Sequence, residues 1–323
     1  MPQLIDKFIR YNSRPDQSPL ELSPYFIASF ERAVARGDIA ENQAALFESI
    51  VNNLSIYRKK NNLENVVIGI SGGIDSALVA ALFKAAGWSV AGILLPINQN
   101  EAETDRGMEL VDHLGISHRI VDLTAMYGEV QWQLSSKGLQ LITEDKPKAD
   151  AIRRGNMKAR LRMITLYELA AQSGGLVAST DNFSELFSGF WTLHGDVGDL
   201  APVQSLTKSW EIPYLADSLG IPKSIIEAAP TDGLGIDNGD EAQFGYTYAQ
   251  ADLLILDILA GYEYEDNKDD TQPSIEDRKI IKAVLTKVKK TAFKRANPTN
   301  LPHPESGNRR YEELSLLDNK LRK

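Results

Sequence analysis

Residues 68–80 read IGISGGIDSALVA, from Ile68 to Ala80. A run of apolar, β-branched residues (NVVIGI, 65–70) passes through two adjacent glycines and resumes on an aspartate and a serine. Two structures suit this pattern. One is an ordinary turn in which Asp75 or Ser76 caps the following helix. The other is a phosphate cradle, in which the glycines allow positive φ and close backbone approach while the helix start offers unpaired N–H groups and the positive end of its dipole.

The surrounding chain decides between them. After NVVIGI the spacing predicts a helix from Asp75 to about Ala86, stopped by Gly87. A second strand follows at WSVAGILLPI (88–97), a helix at 101–116 and a third strand at SHRIVDLT (117–124). Farther on, MKARLRMITLYELAAQ (157–172) is helical and GLVAST (175–180) is again a strand. Strands alternating with helices imply crossover connections, so the expected fold class is α/β, a doubly wound parallel sheet of Rossmann-like type covered by helices. A glycine loop fed by the first strand of such a sheet favours the cradle. Leu46, Ile50, Leu54 and Tyr57 give 24–60 a helical period, whereas residues 1–20, rich in Pro, Ser, Asp and Arg, read as an irregular arm or lid. The expected organisation is an N-terminal arm with helices (1–60), a nucleotide-binding core (61–264) and a C-terminal helix and tail (265–323), forming one structural domain overall.

Composition narrows the class of function. At 323 residues, 43% hydrophobic and 24% charged, the chain can bury a full core. A net charge of -9 argues against nucleic acid as partner. No run approaches the roughly 18 apolar residues of a membrane span, and the N-terminus lacks a secretory apolar segment, so a cytoplasmic protein is the simplest reading. There is no cysteine, which excludes disulfides, thiolate metal sites and a cysteine nucleophile in this chain. His113, His118, His194 and His303 show no zinc-ligand spacing.

The loop has neither the lysine of a Walker motif nor a G-x-G-x-x-G pattern. Ser71-Gly72-Gly73-x-Asp75-Ser76 resembles the pyrophosphate loop of N-type ATP pyrophosphatases, which split ATP between its α and β phosphates. Asp75 among phosphates argues for a bridging Mg2+, and Ser71 and Ser76 can donate to the leaving pyrophosphate. GNMKARLRMITLYELAA (155–171), STDNFSELFSGFWTLHGDVGDLAPVQSLTK (179–208), PTDGLGIDNGDEAQFGYTY (230–248) and FKRANP (293–298) occur in the order seen in ammonia-dependent NAD synthetases. The resemblance spans roughly 65–298.

That resemblance implies an ATP loop of Gly69, Ile70, Ser71, Gly72, Gly73, Ile74, Asp75 and Ser76, with Thr180, Lys208 and Thr231 as further ATP contacts. It makes Asp75 and Glu185 the Mg2+ ligands, and Asp75, Glu185 and Lys208 the catalytic set. Arg160, Asp199 and Lys294 match positions that bind the deamidated dinucleotide. Read by themselves, Glu185 and Lys208 suit solvated helix positions, Thr231 a turn or cap, and Arg160 a charged face with Arg153, Arg154, Lys158 and Arg162 balanced by Glu168. Leu161, Ile164 and Tyr167 fall at helical spacing and read as packing residues, or as a face toward a second copy, since the resemblance implies a homodimer. Two positions depart from the family pattern: Leu193 stands where lysine is usual and Phe293 where histidine is usual. The segment GDVGD also looks one residue short of the common spacing to Asp199.

The implied reaction is amidation of deamido-NAD by ammonia through an acyl adenylate, with ATP as co-substrate and NAD, AMP and pyrophosphate as products. Amidation of nicotinate mononucleotide is the alternative raised by Leu193 and Phe293; a tRNA-modifying pyrophosphatase or a non-catalytic nucleotide-binding regulator fits less well. Asp181 or Asp196 is the candidate acceptor of a proton from ammonium. With no cysteine-bearing glutaminase segment, nitrogen comes from free ammonia or a separate subunit. The polar segments 135–156 and 235–246 read as lids.

Overall fold

The computed structural model describes residues 2–14, 18–136, 147–230, 239–262 and 271–296. Three helices come first: α1 (Pro2–Asn12), α2 (Pro24–Arg36) and α3 (Ala44–Lys60). The alternating region follows as β1 (Asn65–Gly69), α4 (Ile74–Ala85), β2 (Ser89–Leu94), α5 (Glu101–Leu114), β3 (Ser117–Ile120), α6 (Thr124–Ser136), α7 (Pro147–Ser173) and β4 (Leu176–Val177). Then come α8 (Phe183–Ser188), α9 (Glu211–Ser218), α10 (Lys223–Ile226), α11 (Asp240–Phe244), α12 (Tyr248–Leu259), α13 (Ile275–Lys290) and a 3-10 turn at Ala292–Ala296. Strands are shorter than the sequence suggests, because pairing ends where the chain leaves the sheet to build loops.

The sheet is parallel, in the order β3-β2-β1-β4. Its side chains alternate between two cores, as the two-residue period of a strand requires. Val66, Ile68, Val90, Leu94 and Leu176 pack with α3, α4 and α9. Val67, Ile93 and Val177 face the other way, onto Leu161, Met163 and Leu166 of α7. Helices therefore cover both faces, and the doubly wound α/β expectation holds. From β1 the chain winds outward through β2 and β3, then returns to place β4 on β1's other side. The strand order thus reverses at β1, and the carboxyl ends of β1 and β4 flank the crevice where sheets of this kind bind ligands.

A third apolar cluster corrects the reading of residues 1–20 as irregular. Leu4, Phe8 and Tyr11 of α1 are buried among Phe26, Phe30, Trp210, Leu253, Leu254, Ile281 and Val284. Their spacing is a helical stripe, and this apolar face outweighs the polar composition around it. Neighbouring α2 has local signals at both ends: the Ser23 hydroxyl accepts from Phe26 N at 3.4 Å, Pro24 begins the helix, and Gly37 closes it at φ 83°.

The two lid expectations change as well. Residues 147–156 form the start of the long helix α7 and 240–244 form α11, while 137–146 and 235–238 lie outside the described residues. In α7, Leu161 is buried at 8% exposure and Tyr167 is partly covered at 41%, but Ile164 is 65% exposed and does not pack within the chain as expected. No helix among the described residues is long and apolar enough to cross a membrane.

Candidate active site

The loop between β1 and α4 has the geometry of an anion cradle. Gly73 is the cap of α4 and makes no side-chain capping bond, which leaves the first amides of the helix available. Gly72 sits at φ 79°, pressed against the start of α5, and its carbonyl accepts from Arg106 Nε at 3.2 Å. The hydroxyls of Ser71 and Ser76 lie 3.2 Å apart. Ser76 Oγ donates to Gly73 O at 3.0 Å, while Ser71 Oγ accepts from Gly73 N at 3.2 Å. These bonds hold the loop in shape without a ligand, which is the preorganisation an anion site needs.

Asp75 stands in the first turn of α4 and is met from across the molecule. Asn182 Nδ2 donates to its Oδ1 at 3.0 Å, and Lys208 Nζ donates to its Oδ2. The pair is largely shielded, with side-chain exposures of 11% for Lys208 and 15% for Asp75. Asn182 also starts α8: its Oδ1 accepts from Glu185 N at 3.0 Å, and Glu185 Oε2 accepts from Asn182 N at 3.2 Å. This capping box fixes Glu185 beside Asp75. Burial, then the charge of Asp75, pushes the Glu185 carboxyl well above its ordinary value, with Lys208 opposing. Burial pulls Lys208 down, but Asp75 and Glu185 outweigh it and hold the ammonium above its ordinary value. Tyr248 OH donates to Asp240 Oδ2 at 3.1 Å, and burial and Asp240 raise that phenol well above the usual range. Asp75, Glu185 and Asp240 thus all act on one lysine.

One cavity of about 410 Å³ joins these parts. All eight loop residues, Gly69 to Ser76, line it, together with Thr180, Glu185, Lys208 and Lys294. Thr180 is positioned just past β4, where Ala178 bridges to Leu200. Lys294 Nζ donates to Gly189 O at 2.8 Å and to Trp191 O; burial and then Lys287 lower its proton affinity, with Asp196 opposing. Arg160 and Asp199 are exposed and do not line this cavity. Arg160 Nε donates to Leu193 O at 3.1 Å; Asp199 accepts from Tyr167 OH and from Val177 N, each at 2.9 Å. Thr231 lies outside the described residues. The balance of the α7 arginines also differs from expectation: Arg153 and Arg154 pair with Asp150, and Arg162 bonds Leu95 O and Gln99 Oε1, while Glu168 accepts from Gln172.

Two candidate proton acceptors part ways here. Asp181 has both oxygens engaged, by Ser179 Oγ and Gln204 Nε2. Asp196 accepts from Thr192 N through Oδ2, and burial raises its carboxyl above the ordinary value.

The sequence profile of the NAD synthase family matches residues 46–298. The chain belongs to the NAD synthase family. A relative from Methanocaldococcus jannaschii, named NH(3)-dependent NAD(+) synthetase, is 34% identical over 266 residues, covering 80% of this chain and 97% of that protein. One of the same name from Carboxydothermus hydrogenoformans is 37% identical over 65% of this chain and 84% of its own length. Among solved structures, NMN synthetase from Francisella tularensis superposes with a TM-score of 0.68 at 28% identity, covering 82% of this chain and all 100% of that one. The NH3-dependent NAD synthetase from Campylobacter jejuni gives 0.63 at 27% identity over 80% and 99%.

Asn182, which bonds Asp75, and several residues of the cavity escaped the sequence reading. Asn182 had a legible signal, the N-x-x-E spacing of a capping box. Arg106, Asp240, Tyr248 and Lys287 had none, since isolated polar residues on helices are ordinarily solvated.

Proposed function

We propose that the protein amidates a nicotinate nucleotide with ammonia at the cost of ATP cleavage to AMP and pyrophosphate, with deamido-NAD as the acid substrate. The observation that supports this most is the preorganised Ser71–Ser76 loop, with Asp75 in it, meeting Glu185 and Lys208 in one cavity at the point where strand order reverses. A carboxylate resists attack by an amine, so its oxygen first attacks the α-phosphorus of ATP. Pyrophosphate leaves and an acyl adenylate forms; ammonia then attacks the activated carbonyl and AMP departs. The loop amides and Lys208 stabilise charge on the leaving pyrophosphate. Asp196 is the stronger candidate to take the proton of ammonium, because burial has raised its basicity and Asp181 is committed to other donors.

Asp75 and Glu185 are the residues that would hold Mg2+, which when bound supplies neutralisation of phosphate charge. Among the described residues there is no cluster of three or more His, Cys, Asp or Glu suited to a metal. Two carboxylates with substrate phosphate and water as remaining ligands match the usual Mg2+ pattern, and the raised proton affinity of Glu185 fits a site that favours added positive charge.

A second reading, amidation of nicotinate mononucleotide, is favoured by Leu193 and Phe293, apolar where the family carries lysine and histidine, and by the likeness to the Francisella protein named NMN synthetase. Release of AMP and pyrophosphate, measured with ATP, Mg2+, ammonia and each nucleotide in turn, separates the two. Production of ADP, or turnover with neither nucleotide, would overturn the amidation reading.

We also propose that the active species is a homodimer. Ile120 on edge strand β3, Met126 and Trp132 on α6, and Ile164 on α7 are each more than half exposed. Large apolar residues left this exposed suit burial against a second copy. Light scattering of Trp132→Asp should show a monomer where the wild type is a dimer.

A further inference from the structure

The family match begins at residue 46, so α1 lies outside it, yet Tyr11, Asn12 and Arg14 line the same cavity as the Ser71–Ser76 loop and Lys208. The helix is firmly seated. Phe8 is fully buried, 5.1 Å from the Phe30 ring and 6.3 Å from Trp210, and the Tyr11 hydroxyl donates to Asp217 Oδ2 at 2.7 Å. At its carboxyl end, Asn12 Nδ2 donates to Phe8 O at 2.8 Å and to Ser209 O at 2.9 Å. Ser209 is the residue after Lys208, and its own amide donates to Asp252 Oδ2 at 2.9 Å. The Lys208 amide donates to Ser184 Oγ, also at 2.9 Å. The Ser209 residue is therefore held through its N–H by α12 and through its carbonyl by α1, immediately beside the lysine whose ammonium meets Asp75.

Arg14 lies two residues past Asn12, with Nη1 donating to Tyr11 O at 3.2 Å, which folds the side chain back over the helix end. Burial raises the Glu241 carboxyl, while its bond from Tyr248 N and then the charges of Arg14 and Lys208 pull it down. Both cations act on this one carboxylate, and both line the cavity.

We propose that the N-terminal segment builds one wall of the ATP triphosphate site, with Arg14 as a further phosphate-binding cation and Asn12 as a positioning residue for Lys208. A guanidinium suits this place because it stays charged and can meet two phosphate oxygens at once. The proposal rests on the ATP reading above. It is tested by calorimetric titration of the full chain with ATP and Mg2+, which reads nucleotide binding independently of which acid is amidated. Arg14→Ala should weaken ATP binding about ten-fold, the effect of losing a charge-assisted contact, with Arg14→Lys recovering part of it. In steady-state assays the same variant should raise the KM for ATP and leave that for the nicotinate nucleotide unchanged. Asn12→Ala should lower kcat at an unchanged melting midpoint, with the KM for the nicotinate nucleotide again unaffected. Wild-type ATP affinity in Arg14→Ala overturns the phosphate role. A kcat for Asn12→Ala equal to wild type, or one that falls only together with the melting midpoint, overturns the positioning role. Tight ATP binding by a wild type that amidates neither nucleotide would sink the functional reading and leave this one standing.

Discussion

Replacing Gly72 with alanine tests whether the loop's shape is set by backbone geometry. At φ 79° the residue occupies a region that costs an L-amino acid about 1–2 kcal/mol. Sterics add to that cost. A Cβ here would stand 2.1 Å from the Glu103 carbonyl oxygen, about 1.3 Å short of the 3.4 Å at which ordinary contact begins. The obstacle is backbone in the first turn of α5, so it cannot swing aside as a side chain would. Either α5 shifts or the loop lifts away, and in both cases the bond from Arg106 Nε to Gly72 O is lost. Together these effects should destabilise the protein by about 2–4 kcal/mol. A loop displaced by about 1 Å should also lower kcat roughly 100-fold. Urea denaturation gives the first quantity and pyrophosphate release the second. Gly128→Ala is the control: Gly128 is exposed within α6 with nothing within 4 Å of its Cβ position, and the change should add up to about 1 kcal/mol. A Gly72→Ala protein with wild-type stability and turnover would refute the claim that the close approach to α5 shapes the phosphate site.

Three further outcomes follow from the same geometry. Lys208→Met removes the cation that meets Asp75, and kcat for pyrophosphate release should fall by roughly 100-fold or more while circular dichroism stays native; a drop below five-fold, by about, would remove Lys208 from the chemistry. Asp257→Ala leaves Arg32 and Arg36, now 2.6 and 2.9 Å from its oxygens, without their shared partner, and should cost about 3 kcal/mol in urea denaturation, since the guanidiniums keep some access to water; no measurable loss would refute the reading. Asp252 is buried, and burial raises its carboxyl to about 6 against bonds from Ser184 and Ser209. The fold therefore prefers the protonated form, so this group's contribution is fully present below pH 3.8 and is lost as pH rises through about 6. The amplitude is at most roughly 3 kcal/mol. Urea midpoints of wild type and Asp252→Asn should diverge in the wild type's favour at pH 4 relative to pH 7; a difference independent of pH would contradict it.

Residues 65–94 show how much of this was legible in the chain. Apolar runs broken at glycines, and a helix starting at Asp75, are local features set by strand period, turn chemistry and helix signals, and the structure reproduces them to within a few residues. The same kind of reading failed at α1, where composition hid the stripe Leu4, Phe8, Tyr11, and at Ile164, where helical spacing could not say whether a face meets the core or stays exposed.

The sequence by itself determined the α/β alternation, the glycine-rich loop after β1 and the kinship of the segments between 65 and 298, because each depends on residues only a few positions apart. Tertiary structure alone decided which of them meet. Lys208 and Asn182 reach Asp75 from 133 and 107 residues away, and they do so because β4 returns to the far side of β1 and brings two strand ends to one crevice. The same packing leaves Arg160 and Asp199 outside that cavity and brings Asn12 and Arg14 to its wall. Strand order and burial are properties of the whole chain, and no short stretch of it carries them.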